Sequence, residues 1–377
     1  MEDLKDMLGE NADFYREQER KIAARLALLA KGRIRSKKIG GKVYYYLQYR
    51  KGRSVKTEYI GKDVPRELRE SLAERDRLEK ELPRVREGLR LFGSARGREI
   101  DLAEPLLAIF RGLTEQKLWD AGFEIIGSWC FLLYQKHLPM EKYPLRTEDL
   151  DFLVPRPFKG RAFDLGGFLE ELGFSRHFNP DGSMFFTGNR MKIEFLSRER
   201  RNGTLPPRHI KEIGLTPQEL RFLDILFIDP LVLKLGRGIR AKVPNPSAFL
   251  LHKLFIAERP ERRNKREKDI RQGIYTGKYV LAEKSETARL SGLWGGLPVK
   301  WKARIRQSLT KAVDIVPLES GVIRRLQALL RIGQANPNEN SRKHSPSSAA
   351  LSATCSKTRG DLKQSIGQRI AGETDFR

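Results

Sequence analysis

Two cysteines in 377 residues exclude a disulfide framework and any cysteine-built zinc site. Cys130 lies in an apolar run and Cys355 in a polar tail, so a reducing compartment is expected. No stretch approaches the roughly 20 apolar residues that a membrane-spanning helix needs. The opening MEDLKDMLGENADFYREQERK also lacks the apolar segment of a secretory signal, and a cytoplasmic protein is expected. Acid is scarce: 48 Asp and Glu face 73 Lys and Arg, a formal net charge of +25. An excess of that size points to a polyanionic partner, either nucleic acid or a phosphorylated substrate, with a generally basic proteome as the alternative. The 39% of hydrophobic residues suffices for an ordinary core at this length and excludes wholesale disorder. No internal repeat is present.

What is there divides into four parts. Residues 1–92 predict a helix over 16–31, then three extended runs separated by Gly40-Gly41 and Lys51-Gly52, then a Leu-spaced helix over 65–90 that Pro83 kinks or ends. From 93 to 240, apolar strands alternate with helix-length segments. From 241 to 332 the pattern is helical, opened by Pro244-Asn245-Pro246 and interrupted by Gly-Leu-Trp-Gly-Gly around Trp294. Residues 333–377 have almost nothing to bury, and a disordered tail is expected.

The three-stranded meander is basic and rich in tyrosine. Ten Lys or Arg and no acid lie between Lys31 and Thr57. Strand alternation predicts that Val43, Tyr45, Leu47 and Tyr49 pack on the helices, while Tyr44, Tyr46, Gln48 and Arg50 face solvent. Such an outer face can stack bases and contact phosphates. Lys37, Lys38, Lys42, Tyr44, Tyr46, Arg50, Lys51 and Arg53 are the candidate nucleic-acid contacts. The plainer account is that Tyr favours strands and that Lys and Arg guard the edges of a small sheet.

The most informative stretch runs from FEIIGSWCFLLYQ to RTEDLDFLV. Phe123 to Ile126 reads as a strand, Gly127-Ser128 as a tight turn, and Trp129 to Tyr134 as the start of a buried helix. Helix-start amides beside a glycine can hold a triphosphate, though Ser128 can equally cap its own helix. Asp149 and Asp151 fall on one face of the next strand, with Leu150, Phe152 and Val154 on the other. Two such carboxylates repel unless a cation lies between them, and magnesium suits oxygen ligands. Glu194, in the strand-like run Met191 to Leu196, supplies a third acid. The alternative is a pair of solvated acids, with Glu194 bonded to Lys192 or a nearby Arg.

These residues resemble the polymerase-beta-like nucleotidyltransferase superfamily. Its pattern is a strand, Gly-Ser, a helix, Asp-x-Asp on a second strand and an acid on a third. Over about residues 100 to 275 the chain looks like bacterial nucleotidyltransferase-fold proteins and, more distantly, like abortive-infection toxins, whose motif corresponds to Arg146-Thr147-Glu148-Asp149-Leu150-Asp151. The resemblance implies an α+β fold, a nucleotidyltransferase palm with a mixed twisted sheet flanked by helices, between the basic accessory unit and a helical C-terminal domain. It implies an NTP substrate and two Mg2+ ions, or Mn2+, held by Asp149, Asp151 and Glu194. It further implies nucleotide contacts from Gly127, Ser128, Arg146, Thr147 and Lys253, and a part for Asp269 in activity. An insertion over His137 to Pro144 lengthens the usual spacing between turn and acids.

Asn245 is placed to cap the helix that follows, and Pro246 suits its first position. That helix is apolar nearly all round, so Lys253 within it calls for an anionic partner or for snorkelling to solvent. Asp269 has Lys265 and Arg266 at helical spacing as alternative partners. The run Arg259 to Arg271 carries seven cations and reads mostly as a solvated face that raises local anion concentration. The expectation is a metal-dependent nucleotidyltransferase that adds an NMP to an acceptor, an RNA end or tRNA-like molecule, in a toxin-like setting with an antitoxin partner. The alternatives are nucleotidylation of a protein or small molecule, and a non-catalytic nucleic-acid binder on a degenerate scaffold.

Overall fold

The computed structural model describes residues 11–330 apart from 94–102, 144, 146, 190, 201–205 and 237. The expected disordered tail and Arg146 therefore lie outside the described residues.

Helix α1 (Asn11–Leu28) is followed by β1 (Arg33–Ile39), β2 (Lys42–Lys51), β3 (Ser54–Gly61) and the long helix α2 (Arg66–Gly93). The three strands form an antiparallel sheet in sequence order. Gly40 and Gly41 both take positive φ in the first hairpin turn, the conformation that two-residue loops need and that glycine adopts at least cost. Helices α1 and α2 pair through a small core of Ile22, Leu29, Leu78 and Val85. Pro83 does not end α2: Leu78 and Val85 on either side of it are anchored in that core, and tertiary burial offsets the lost hydrogen bond. Nor do Val43, Tyr45, Leu47 and Tyr49 seal one face of the sheet. Val43 is 43% exposed, and no strand residue joins either described hydrophobic cluster, because the two helices satisfy each other.

The body begins with α3 (Ala103–Glu115), β4 (Glu124–Ile126), α4 (Gly127–His137) and β5 (Asp149–Leu153). It continues through α5 (Leu165–Glu171), β6 (Ser175–Phe178), β7 (Met184–Gly188), β8 (Met191–Arg198) and β9 (Gln218–Leu220). These strands make one mixed sheet of order β4-β5-β8-β7-β6, with β9 also on β8. Strands β5 and β8 are parallel neighbours, with Asp149 opposite Lys192 and Asp151 opposite Glu194. Leu150, Phe152, Ile193 and Phe195 on the other face are at most 1% exposed. The two-residue alternation therefore sorts a polar row from an apolar one. A hairpin of β10 (Leu231–Gly236) and β11 (Ile239–Val243) follows.

Helices α6 (Pro246–Ile256), α7 (Arg266–Ala282), α8 (Lys284–Gly296), α9 (Val299–Ile315) and α10 (Ser320–Leu329) complete the described chain. Asn245 caps α6 by accepting from the Ala248 amide at 2.8 Å, with Pro246 in the first turn. The Gly-Leu-Trp-Gly-Gly stretch forms the last turn of α8, with Leu293 in the core, and the helical run breaks after Gly296 before α9 begins at Val299. One hydrophobic cluster runs from Leu106 to Leu330, joining the sheet to the C-terminal helices. Among the described residues no helix is long and apolar enough to cross a membrane.

One buried acid lies off the polar row. Glu124 on β4 is 1% exposed and its Oε2 has no hydrogen-bond partner. Burial pushes its carboxyl up to about 8, with Lys242 opposing. Because the folded-state value is raised, this contribution to stability is complete below the unfolded value near 4 and is lost as pH rises through 8. Glu124→Gln should therefore gain about 2–4 kcal/mol over the parent between pH 5 and pH 9, read from urea midpoints. Equal pH slopes for the two proteins would refute this.

Candidate functional site

The polar row of β5 and β8 opens onto a cleft of about 310 Å3. One wall carries Asp149, Asp151 and Glu194 beside Gly127 and Ser128, and the opposite wall carries Lys253, Arg259, Arg262, Lys265 and Lys268. Leu196, Leu220, Leu223, Leu226, Phe249 and Ile256 supply apolar surface between them. Acids, cations and an apolar patch thus share one concavity, the combination a nucleotide with its phosphates demands.

The turn is shaped by the acid above it. Gly127 sits at φ +69, and a Cβ there would lie 2.1 Å from Asp151 Oδ2. Glycine is required twice over, for the left-handed backbone and for the close carboxylate. Ile126, the residue before α4, makes no side-chain cap, so the helix-start amides keep their donors and the positive end of the helix dipole. Ser128 Oγ instead accepts from Gln272 Nε2 at 3.2 Å. Gly127→Ala should cut activity at least about tenfold and cost about 2 kcal/mol or more of stability, measured by transfer assay and urea unfolding. A variant as active and stable as the parent would show that the turn tolerates Cβ.

Asp151 is pushed up to about 6, first by burial and then by Glu194 and Asp149, with Lys253 and Lys265 pulling the other way. Asp151 therefore feels both of the other acids. Each of the other two has a lysine: Lys192 Nζ lies 2.8 Å from Glu194 Oε1, and Lys265 Nζ lies 3.4 Å from Asp149 Oδ2. Among the described residues no group of three His, Cys, Asp or Glu side chains is arranged to enclose an ion. The expected trio shares a cleft, but Asp149 and Glu194 are turned to lysines and the three do not enclose a common centre. The donor set is all carboxylate oxygen, which suits a hard divalent cation, and both lysine contacts involve partly exposed side chains that rotation can open.

Across the cleft, the expected anionic partner of Lys253 is Asp269. Lys253 Nζ donates to Asp269 Oδ1 at 2.9 Å, and Arg262 donates to both Asp269 oxygens at 2.9 and 3.1 Å. Neither Lys265 nor Arg266, the helical-spacing alternatives, takes that place. Burial pushes Asp269 up, but Lys253 and Arg262 outweigh it and hold the carboxyl below its ordinary value. Two cations on one carboxylate leave net positive charge on this wall. Burial, with Lys253 and Lys265 as like-charged neighbours, lowers Lys268. Burial, with Lys253 and Arg262, lowers His252 to about 3, so the imidazole in the lining is neutral.

Sequence reasoning placed Gly127, Ser128, Asp149, Asp151, Glu194, Lys253 and Asp269 in the site, and all seven line the cleft. Thr147 does not. Its hydroxyl stays with the Asp149 backbone at the entry to β5. Missed were His252, beside Lys253 in the lining, the buried Gln272 that donates to Ser128, and the fact that four of the seven cations from Arg259 to Arg271 face the cleft. Arg271 is instead paired with Glu81 of α2 at 2.8 Å. In the meander, register puts Lys37, Lys42 and Arg50 on the face of Tyr44 and Tyr46, and Lys38 and Lys51 on the other.

Comparison with known proteins bears on the same residues. Residues 13–70 match a domain of unknown function. No curated protein matches the chain. Among solved structures, an antigenic nucleotidyltransferase-like protein from Paracoccidioides brasiliensis is similar at 14% identity. That alignment covers 59% of this chain and 93% of that one with a TM-score of 0.34. Residues 104–291 match the family described as nucleotidyltransferase, a span that contains the whole cleft lining from Ile126 to Asp269. Through that domain the chain belongs to the nucleotidyltransferases, enzymes that draw on an NTP.

Proposed function

We propose that the cleft transfers an NMP from a bound NTP to a polyanionic acceptor, an RNA end, with release of pyrophosphate. The observation that carries this reading is Asp151 side by side with Glu194 on parallel strands, its carboxylate seated over Gly127 at the start of α4. An acceptor hydroxyl oxygen forms the new bond to the α-phosphorus, the bond from that phosphorus to the bridging oxygen of the β-phosphate breaks, and pyrophosphate leaves. Glu194 takes the hydroxyl proton. The amides of Gly127 and Ser128 and the cations Lys253 and Arg262 bind and align the triphosphate, so much of the barrier is lowered by positioning. Asp149, Asp151 and Glu194 would hold magnesium or manganese, which supplies Lewis-acid neutralisation of charge developing on the phosphoryl oxygens. The cation-rich wall and the basic meander favour a large anionic acceptor over a small molecule.

The test is to incubate the protein with each α-labelled NTP, magnesium and total RNA. Label is expected in RNA and absent after chelation or in the Asp149→Ala, Asp151→Ala double variant. Label that persists in the double variant would end the assignment of these residues. Label landing on protein or on a small molecule would move the acceptor and leave the cleft's role intact.

A further inference from the structure

We infer that one face of the β1–β3 meander, the face of Tyr44, Tyr46 and Tyr59, is a docking surface for single-stranded nucleic acid. This goes beyond the transfer reaction, because such binding needs neither NTP nor divalent ion.

A three-stranded sheet ordinarily persists by burying one face, yet this one packs neither face into a described hydrophobic cluster. On the tyrosine face Ile39, Val55 and Tyr59 are 48–60% exposed, and a concentration of exposed apolar side chains on a small element marks a contact surface.

The two faces differ in charge. Cross-strand register groups Tyr46 with Arg35 and Tyr59, Tyr44 with Lys37, Gln48 with Arg33 and Thr57, Arg50 with Val55, and Lys42 with Ile39. That face therefore presents Arg33, Arg35, Lys37, Lys42 and Arg50 and no acid. The opposite face presents Lys38, Lys51 and Lys56 together with Glu58, which accepts from the Tyr49 hydroxyl. The aromatic rings follow the cations. Tyr59 lies 5.5 Å from Tyr46 and 6.2 Å from Tyr44 between ring centroids, so a row of three rings crosses β2 and β3 with cations on its flanks.

Rings and cations on one face match the two chemistries of a single strand, exposed base faces and phosphates. A duplex hides its base faces in the stack and cannot use the rings. An acidic peptide would answer the cations alone. Tyr59, Arg33 and Arg35 enter this surface only through register, since sequence order separates them from Tyr44 and Tyr46.

The experiment measures fluorescence anisotropy of the full chain with labelled 12-nucleotide RNA, DNA of the same sequence and the corresponding RNA duplex, with chelator and without NTP, across a salt series. Both single strands are expected to bind at least about tenfold more tightly than the duplex, and whichever binds tighter names the natural strand. Tyr46→Ala with Tyr59→Ala should weaken single-strand binding about tenfold or more, while Tyr46→Phe with Tyr59→Phe should retain it. Arg35→Ala with Lys37→Ala, exposed positions that test the face even if the ring-deleted sheet fails to fold, should reduce the salt slope by about 1.4. Lys38→Ala with Lys56→Ala on the opposite face should bind like the parent. Duplex binding equal to single-strand binding would overturn the proposal. So would equal weakening by the opposite-face pair, indifference to the Arg35 and Lys37 pair, or displacement by polyglutamate as effective as by unlabelled RNA.

Discussion

Asp151→Asn is expected to lower NMP transfer at least about 100-fold while leaving the protein as stable as the parent below about pH 4 and more stable above it. The loss follows from removing the carboxylate that sits over Gly127 beside Glu194. The gain follows from the same crowding, because burial, Glu194 and Asp149 raise this carboxyl to about 6 against about 3.9 in an unfolded chain. A raised value means that the folded state holds its proton more tightly. The associated stability is complete below pH 4 and disappears as pH climbs through 6, a cost on the order of 2 kcal/mol at neutral pH without metal. Asn removes that cost. Urea midpoints at pH 5 and pH 8 in chelator should fall for the parent and stay nearly level for the variant. A variant less stable than the parent at pH 8 would mean that the carboxylate holds the turn together, and undiminished transfer would remove Asp151 from the reaction.

The largest stability effect is expected across the cleft, at Asp269. Its side chain is 1% exposed and that of Lys253 is 5% exposed, so Asp269→Ala strands a buried ammonium and should cost about 3–5 kcal/mol. Lys253→Met should cost less, since Arg262 still answers the carboxylate. Because Asp269 is held below its ordinary value, the stability it contributes is present above about pH 4 and lost as pH falls further. The parent should therefore unfold in acid more steeply than a Lys253→Met, Asp269→Asn double variant. That double variant should recover part of the single-variant loss, because no lone charge remains buried. Thermal melts across pH 2.5 to 7 test this. An Asp269→Ala protein that melts with the parent would show that Lys253 reaches water unaided, the snorkelling alternative.

Short-range patterns were readable wherever neighbours in sequence settle a conformation. Asn245 and Pro246 start α6 as capping chemistry requires, the double glycine closes the first hairpin, and the alternation of Asp149 to Phe152 puts acids and apolar side chains on opposite faces. Reading failed where distant packing overrules local preference. Pro83 stays inside α2 because Leu78 and Val85 are anchored around it. The inner face assigned to the meander found no helix to cover it, since α1 and α2 bury their apolar stripes in each other.

The sequence by itself determined the strand–turn–helix around Gly127, the carboxylates of β5 and β8, the buried Lys253 and the uneven charge, because each is written in spacing or composition. Only the tertiary structure decided that Asp151 lies against Glu194, that Lys253 and Arg262 converge on Asp269, and that Lys192 and Lys265 occupy the remaining acids. It also decided which face of the meander gathers the tyrosines with the arginines. Those pairings join residues distant in sequence, and strand register and helix packing set them through the burial of the whole core, which no local window of residues contains.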